Sequence, residues 1–343
     1  MPGGNWFLST TFYYYIVTSI IFINFAGSLS IMKVWNDISK FEASNPVVTI
    51  GIFDGVHAGH LYLIGKMKQK AVDAGGETVV ITLWPHPRVV LNKNPEQLRY
   101  LNTIEEKTAL LERAGVDHLV IIPFTKEFSD LRSCEFVEKY LVEQIHLHHL
   151  IIGFNHKFGK DREGDYSNLK YCADQFGFSI EKLEPVEIRG ETISSSLIRN
   201  LLNRGSLDRA NRFLGYDYFL QGSVVNGNRI GRQIGFPTAN ITLHDSHKLL
   251  PADGVYAVNV FYREEMYSGM LNLGYRPTVA NAKRRKTIEV NVFDLDRDMY
   301  DQDVVIYFRK RLRDEKKFEN IEQLKSQLVK DREMAVEILS HLE

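Results

Sequence analysis

"PVVTIGIFDGVHAGH", residues 46–60, decides how this chain is to be read. The apolar run PVVTI has the length and β-branched content of a short buried strand. It stops at a turn rich in glycine, and HLYLIGKMKQKAVDAG then places Leu61, Ile64, Met67 and Ala71 at helical spacing. Strand, tight turn and helix make the first half of a βαβ unit. In parallel sheets ligands sit beyond the carboxyl ends of the strands. Gly51 to His60 occupies such an end, and its ten residues hold three glycines, two histidines and one aspartate.

Downstream the same alternation continues. TVVITLW, DHLVIIPF, HHLIIGF and FSIEKLE read as strands; NTIEEKTALLERAG, CEFVEKYLVEQI and NLKYCADQFG read as helices between them. Thr103 with Glu106 forms a capping-box pattern, and that helix ends near Gly115. Strands alternating with helices predict a parallel sheet with crossover connections. SSSLIRNLLNRGSLDRANRFLG reads as two short helices broken at Gly205. Beyond Tyr216 the pattern changes to short alternating strands: YFLQGSVVNG, GVYAVNVFY, EMYSGMLNLG, KTIEVNVFDL and QDVVIYFRKRL. These predict a small all-β barrel or sandwich, closed by a helix over NIEQLKSQLVKDREMAVEILSHL. The expected fold is therefore α/β plus all-β. A Rossmann-like domain with a parallel sheet covers 44–202, a linker covers 203–215, and a small β-barrel domain with a terminal helix covers 216–343.

Composition agrees. A chain of 343 residues, 44% hydrophobic and 25% charged, suits two domains, since single cores rarely grow beyond about 250 residues. Its 42 basic and 43 acidic side chains give a net charge of −1, which excludes bulk attraction to nucleic acid. Cys134 and Cys172 form no CxxC pair and read as reduced thiols of a cytosolic protein. Residues 1–31 are apolar and carry no charge. The run FYYYIVTSIIFINFAG is interrupted by Thr18, Ser19 and Asn24 and has no basic flank. It reads as an overextended start, or an extension outside the fold, rather than as a membrane anchor.

The glycines of the opening stretch let backbone N–H groups approach phosphate oxygens. The helix that follows presents its own free N–H groups and positive dipole end. His57 and His60 add donors at the same place. Phosphoryl and nucleotidyl transfer ask a protein mainly for positioning and charge stabilisation, and this set of groups suits both. A histidine pair is also half of a metal site. Neither GxxxxGK[ST] nor GxGxxG is present. TISSSLIRNLL, residues 192–202, gathers hydroxyls at a helix start, with Arg199 one turn on, a fork-shaped partner for phosphate; the same residues make a plain helix cap with a solvated arginine.

In the second domain, GRQIGFPTANI fixes an irregular backbone with Gly231, Gly235 and Pro237. Thr238 and Asn240 then offer a hydroxyl and an amide oxygen two residues apart. Hard oxygen ligands of this kind suit Mg²⁺, which bridges nucleotide phosphates; a surface turn is the alternative. TIEVNVFD puts Glu289, Asn291 and Phe293 on one strand face. There the carboxylate could serve as a general base for an alcohol or simply be solvated. NLGYRPTV adds Asn272, Arg276 and Thr278.

GxFDGxHxGH after a strand resembles the HxGH signature of nucleotidyltransferases, and ISSSLIR resembles their ISSTxIR element. From about Val47 to the C-terminus the chain resembles the bacterial bifunctional riboflavin kinase/FMN adenylyltransferases. The matching stretches are GIFDGVHAGH, TLWPHPRVVL, IIGFNHKFGK and ISSSLIR, then GRQIGFPTANI, GVYAV, NLGYRPTV, TIEVNVFD and RLRDEKKF. The resemblance implies two activities with Mg²⁺ as cofactor. One is ATP-dependent phosphorylation of riboflavin to FMN by the barrel domain. The other is adenylylation of FMN by a second ATP in the nucleotidyltransferase domain, giving FAD and pyrophosphate.

By the same resemblance, His57, His60 and Glu289 are catalytic. Gly51, Phe53, Asp54, Gly55, Gly59, Ser194, Ser195 and Arg199 hold ATP for adenylylation, and Asn155 and His86 hold flavin there. Gly231, Gly235, Pro237, Asn272, Arg276 and Asn291 hold ATP or riboflavin for the kinase, with Thr238 and Asn240 on the metal. The expected setting is cytoplasmic, monomeric or weakly homo-oligomeric, with small-molecule partners only and neither nucleic acid nor membrane. The chain departs from the family at His156, where an aromatic is common, at Lys157, commonly arginine, and at Asp301, commonly glycine. Two other readings are a riboflavin kinase with a decayed adenylyltransferase domain and a non-catalytic flavin-binding regulator. The first requires a broken HxGH or serine–arginine element and the second lacks Mg²⁺ ligands and a base; the sequence shows neither feature.

Overall fold

The computed structural model describes residues 31–91, 98–154, 156–160, 163–226, 231, 234–275 and 286–341. The chain divides into two compact units, Met1–Ser195 and Ser196–Glu343.

The first unit is built on strands β1 (Lys33–Trp35), β2 (Val47–Ile50), β3 (Thr78–Trp84), β4 (His118–Pro123), β5 (His149–Ile152) and β6 (Ser179–Lys182). They form one sheet in the order β1-β4-β3-β2-β5-β6, and every pairing is parallel. Helices α1 (Ala58–Ala74), α2 (Pro87–Leu91), α3 (Ile104–Arg113), α4 (Lys126–Ser129), α5 (Ser133–Phe136) and α6 (Tyr166–Phe176) make the connections. A π-type segment, Val137–Val142, extends α5. β2 is central and fully buried. The chain runs from it to β3 and β4 on one side and later to β5 and β6 on the other, so its carboxyl end lies at the switch point of the sheet. The stretch 51–60 leaves from there.

The expected capping box on α3 is present, with Thr103 and Glu106 exchanging hydrogen bonds. On α1 the buried residues are Leu63, Ile64, Met67 and Ala71. Leu63, rather than the expected Leu61, completes the apolar stripe.

Three expectations are corrected. β1 lies ahead of residue 44, where the domain was expected to begin, and Met32 is buried beside it. Residues 203–215, assigned to a linker, are a packed part of the fold, and the reading of two short helices broken at Gly205 holds. They include helix α8 (Leu207–Leu214), which follows α7 (Ser195–Asn203) and buries Leu207, Ala210, Phe213 and Leu214. Cys134 and Cys172 are not free thiols but are joined as a disulfide. Their Cα atoms stand 6.1 Å apart, within bridging reach, because α5 and α6 are neighbours in the fold.

A two-stranded ribbon, β7 (Glu187–Ile188) and β8 (Glu191–Thr192), precedes α7. The second unit is a closed antiparallel barrel of β9 (Phe219–Val225), β10 (Ala239–Leu243), β11 (Gly254–Tyr262), β12 (Glu265–Tyr275), β13 (Lys286–Val292) and β14 (Asp303–Arg313), in the order β10-β13-β12-β11-β14-β9. Closure removes free sheet edges. Terminal helix α9 (Ile321–Ser340) sets Ala335 and Leu339 on Ala257 and Met270. Arg313 of β14 grips the fully buried Asp331 of α9 through two nitrogens, at 2.7–3.1 Å. Asp301 has φ +58°, the left-handed backbone that explains why glycine is usual there. Among the described residues no helix is long and apolar enough to cross a membrane.

Candidate functional site

In the first unit the turn after β2 is tightly wound. Phe53, Gly55 and Val56 have φ +50°, +92° and +33°. Left-handed geometry at two non-glycine residues costs energy and clusters at functional sites. A side chain at Gly51 would begin 3.0 Å from the Phe53 ring, and one at Gly59 would begin 3.2 Å from the His57 ring. These glycines therefore make room for the rings beside them.

His57 precedes α1 and is buried; His60 lies in its first turn and is half-buried. Their rings stack with centroids 3.7 Å apart and planes 14° off parallel, and the Phe53 ring lies 4.9 Å from His60. Lone pairs of imidazole lie in the ring plane, so two nearly parallel stacked rings do not converge on one ion. Among the described residues no cluster of three His, Cys, Asp or Glu side chains could hold a metal. The ring geometry speaks against the half-metal-site reading of the pair. Burial, His57 and Lys107 together hold the His60 imidazole well below its ordinary pKa, so it is a neutral ring at pH 7.

Asp54 has a different place from the one expected. It is buried, and its Oδ1 accepts hydrogen bonds from the backbone N–H groups of Leu101 and Asn102, at 2.7 and 3.3 Å. Its carboxylate latches the histidine turn to the segment ahead of α3. Ser195 Oγ donates to the carbonyl of Asp54 at 2.8 Å, tying the start of α7 to the same turn; Ser194 precedes it and is half-buried. Arg199, half-buried on α7, donates from Nη1 to Ser196 Oγ at 3.4 Å.

His86 is buried just past the carboxyl end of β3, where its Nδ1 accepts from the backbone N–H of Arg88 at 3.1 Å. Asn155 lies outside the described residues. Its neighbour His156 is pushed by burial down to about 4; its ring lies 5.5 Å from Phe158, itself 5.4 Å from Phe136. An uncharged imidazole in this aromatic run does the work of the aromatic side chain usual there.

Sequence reasoning missed Lys107. It is almost fully buried on α3 and its Nζ donates to Thr82 Oγ1 at 3.2 Å. A charged residue at a core position of an amphipathic helix was the available signal.

In the second unit the register gathers three expected residues. Asn240 of β10 stands opposite Glu289 of β13, and Glu289 opposite Asn272 of β12. Directly paired residues share a face. Met270, two positions from Asn272, packs with α9 residues on the outside of the barrel, so the row Asn240–Glu289–Asn272 lies on that outer face. Asn291 is buried and donates from Nδ2 to the carbonyl of Pro237 at 2.6 Å; this holds the approach to β10 against β13.

Thr238 is exposed immediately before β10, and Gly235 is exposed with φ +85°. A side chain at Gly231 would start 2.2 Å from the Phe236 carbonyl oxygen and 3.5 Å from Thr238 Oγ1. Only glycine fits there. Arg276 and Thr278 lie outside the described residues.

Comparisons with known proteins assign each part of the chain to a family. The FAD synthetase family matches residues 39–197 and the riboflavin kinase family matches residues 214–339. The bifunctional riboflavin kinase/FMN adenylyltransferase of Listeria monocytogenes is 38% identical over 87% of this chain and 92% of its own length. Proteins of the same name from Bacillus subtilis and Escherichia coli K12 are 35% and 33% identical, over 88% and 86% of this chain and 95% and 93% of their own lengths. A Streptococcus pneumoniae crystal structure, named as a macrolide-efflux protein, superposes with a TM-score of 0.80 at 31% identity. It spans 89% of this chain and 99% of its own. Two family matches in order and relatives alike over nearly their whole lengths make this chain a member of the bifunctional riboflavin kinase/FMN adenylyltransferase family.

Proposed function

We propose that the protein makes FMN from riboflavin in its barrel domain and FAD from FMN in its parallel-sheet domain, using one ATP for each step. What supports the reading is that each unit carries its own group of candidate residues. The histidine turn sits at the switch point of a parallel sheet, and the Asn240–Glu289–Asn272 row crosses three barrel strands.

In the kinase step the riboflavin 5′-hydroxyl oxygen attacks the γ-phosphorus of ATP. The bond from that phosphorus to the β-phosphate oxygen breaks, ADP leaves, and Glu289 accepts the hydroxyl proton. The neighbouring Asn272 and Asn240 orient the carboxylate and substrate. Thr238 and Asn240 would hold Mg²⁺, which fits their hard oxygens and the cradle opened by Gly231. The ion would draw charge from the ATP phosphates.

In the adenylylation step an oxygen of the FMN phosphate attacks the α-phosphorus of the second ATP, and pyrophosphate leaves. No proton transfer by the protein is needed. His57 and His60 donate N–H groups to the α-phosphoryl oxygens as charge shifts, with the free N–H groups at the start of α1. Ser194, Ser195 and Arg199 take the leaving pyrophosphate. His86 and Asn155 contact the flavin. The protein acts in the cytoplasm, as a monomer or weak homo-oligomer, on small molecules alone.

Chromatography of a reaction with riboflavin, ATP and Mg²⁺ tests the reading. FMN should appear first and FAD after it. A time course that stops at FMN even with fresh ATP would remove the adenylyltransferase assignment.

A further inference from the structure

Lys107 has no part in the chemistry above, yet it sits beneath it. The side chain is 1% exposed and ranks among the largest fully buried side chains of the protein. From α3 it reaches the carboxyl end of β3, where Nζ donates to Thr82 Oγ1 at 3.2 Å and lies 5.4 Å from the centre of the Trp84 ring. Thr82 Oγ1 in turn donates to the carbonyl of Ile52, inside the glycine-rich turn, at 3.3 Å. A leucine or methionine would fill the same space without the cost of burying an ammonium.

The charged and titratable groups around it are few. Asp54 faces it from the turn and favours its charge. His60, with His57 stacked on it, faces it from α1 and feels that charge. β3 presents the uncharged Thr82 and Trp84. On α3 itself, Glu106 caps the helix through the Thr103 N–H. Lys107 is thus a buried cation whose charge reaches His60, tied to the turn through Thr82.

We propose that Lys107 is a positioning residue of adenylyl transfer: its buried ammonium, tied to the glycine-rich turn through Thr82, holds that turn and sets a positive field under it, toward the attacked α-phosphoryl group of the nucleotide. It forms and breaks no bond. The inference rests on the proposed adenylylation site. Burial brings the ammonium down to about 8, so it is charged at neutral pH and loses that charge within a measurable range.

The experiment compares wild type, K107R, K107M and H60A in FMN adenylylation from about pH 6 to about pH 10. Near-UV circular dichroism and the thermal unfolding of the same preparations report whether the first unit is folded. The wild-type kcat should fall on an alkaline limb near the Lys107 value of about 8. In K107R that limb should move up by at least one pH unit, because guanidinium stays charged. K107M should lose about tenfold or more in kcat at neutral pH with little change in the KM for FMN. A folded K107M enzyme with wild-type kcat would overturn the proposal. So would an alkaline limb unchanged in K107R. If K107M does not fold, the wild-type and K107R profiles decide alone, and a wild-type profile flat through pH 8 contradicts the inference. H60A separates the levels. Loss of adenylylation in H60A but not in K107M rejects Lys107 alone, whereas retention in H60A rejects the site beneath it.

Discussion

At the scale of single residues, the turn at 51–60 owes its shape to pressure from its own rings. Gly59 is the clearest case, since a methyl there would meet the His57 imidazole at 3.2 Å. Gly59→Ala should therefore displace the ring by a few tenths of an ångström and lower FMN adenylylation by about tenfold or more, because small misplacements of catalytic groups are costly. Kinetics of the purified variant check this, with unchanged riboflavin phosphorylation expected alongside.

Asp54 gives a second residue-scale prediction. Its Oδ1 accepts from two backbone N–H groups, which an asparagine carbonyl also satisfies. Asp54→Ala should lower the stability of the first unit by about 3 kcal/mol, from two hydrogen bonds to a charged acceptor. Asp54→Asn should keep those two hydrogen bonds and a near-normal KM for ATP but, without the charge that favours the Lys107 ammonium, should move the alkaline limb of adenylylation to lower pH. A large rise in the ATP KM of Asp54→Asn would make the carboxylate a substrate contact instead.

At the scale of elements, the histidine turn, the helix after it and five of the six barrel strands were legible because their signals are local. Periodicity, capping and turn residues all lie within one window of sequence. What was not legible depends on partners far along the chain. β10 reads as a loop, FPTANI, until it pairs with β9 and β13. β1 has three residues, and its place is set by parallel pairing with β4. The Asp54 latch spans 47 positions, and the disulfide spans 38; no short motif announces either.

The Arg313–Asp331 clamp is of the same kind, and it carries an element-scale prediction. Asp331→Ala leaves the half-buried Arg313 guanidinium without its bidentate partner and should destabilise α9 on the barrel by about 3–5 kcal/mol. Urea unfolding followed by loss of FMN formation would show it, while adenylylation of supplied FMN should persist at urea concentrations that abolish phosphorylation.

At the scale of the whole molecule, the account depends on two chemistries in two units joined by one chain. The Cys134–Cys172 bridge belongs to the first unit only. Closing a loop of that length contributes about 4 kcal/mol by constraining the unfolded chain. Reduction should therefore lower the thermal midpoint of adenylylation and leave that of riboflavin phosphorylation in place. Thiol titration of the unreduced protein should find no free cysteine. The same separation predicts that damage to one site spares the other.

The most direct measurement crosses two variants with two substrates. His60→Ala should turn riboflavin into FMN and stop there. Glu289→Gln should make no FMN from riboflavin, losing about 10²-fold or more, yet convert supplied FMN to FAD at the wild-type rate. If either folded variant loses both reactions, or keeps the one assigned to the altered residue, the assignment of one reaction to each unit is contradicted.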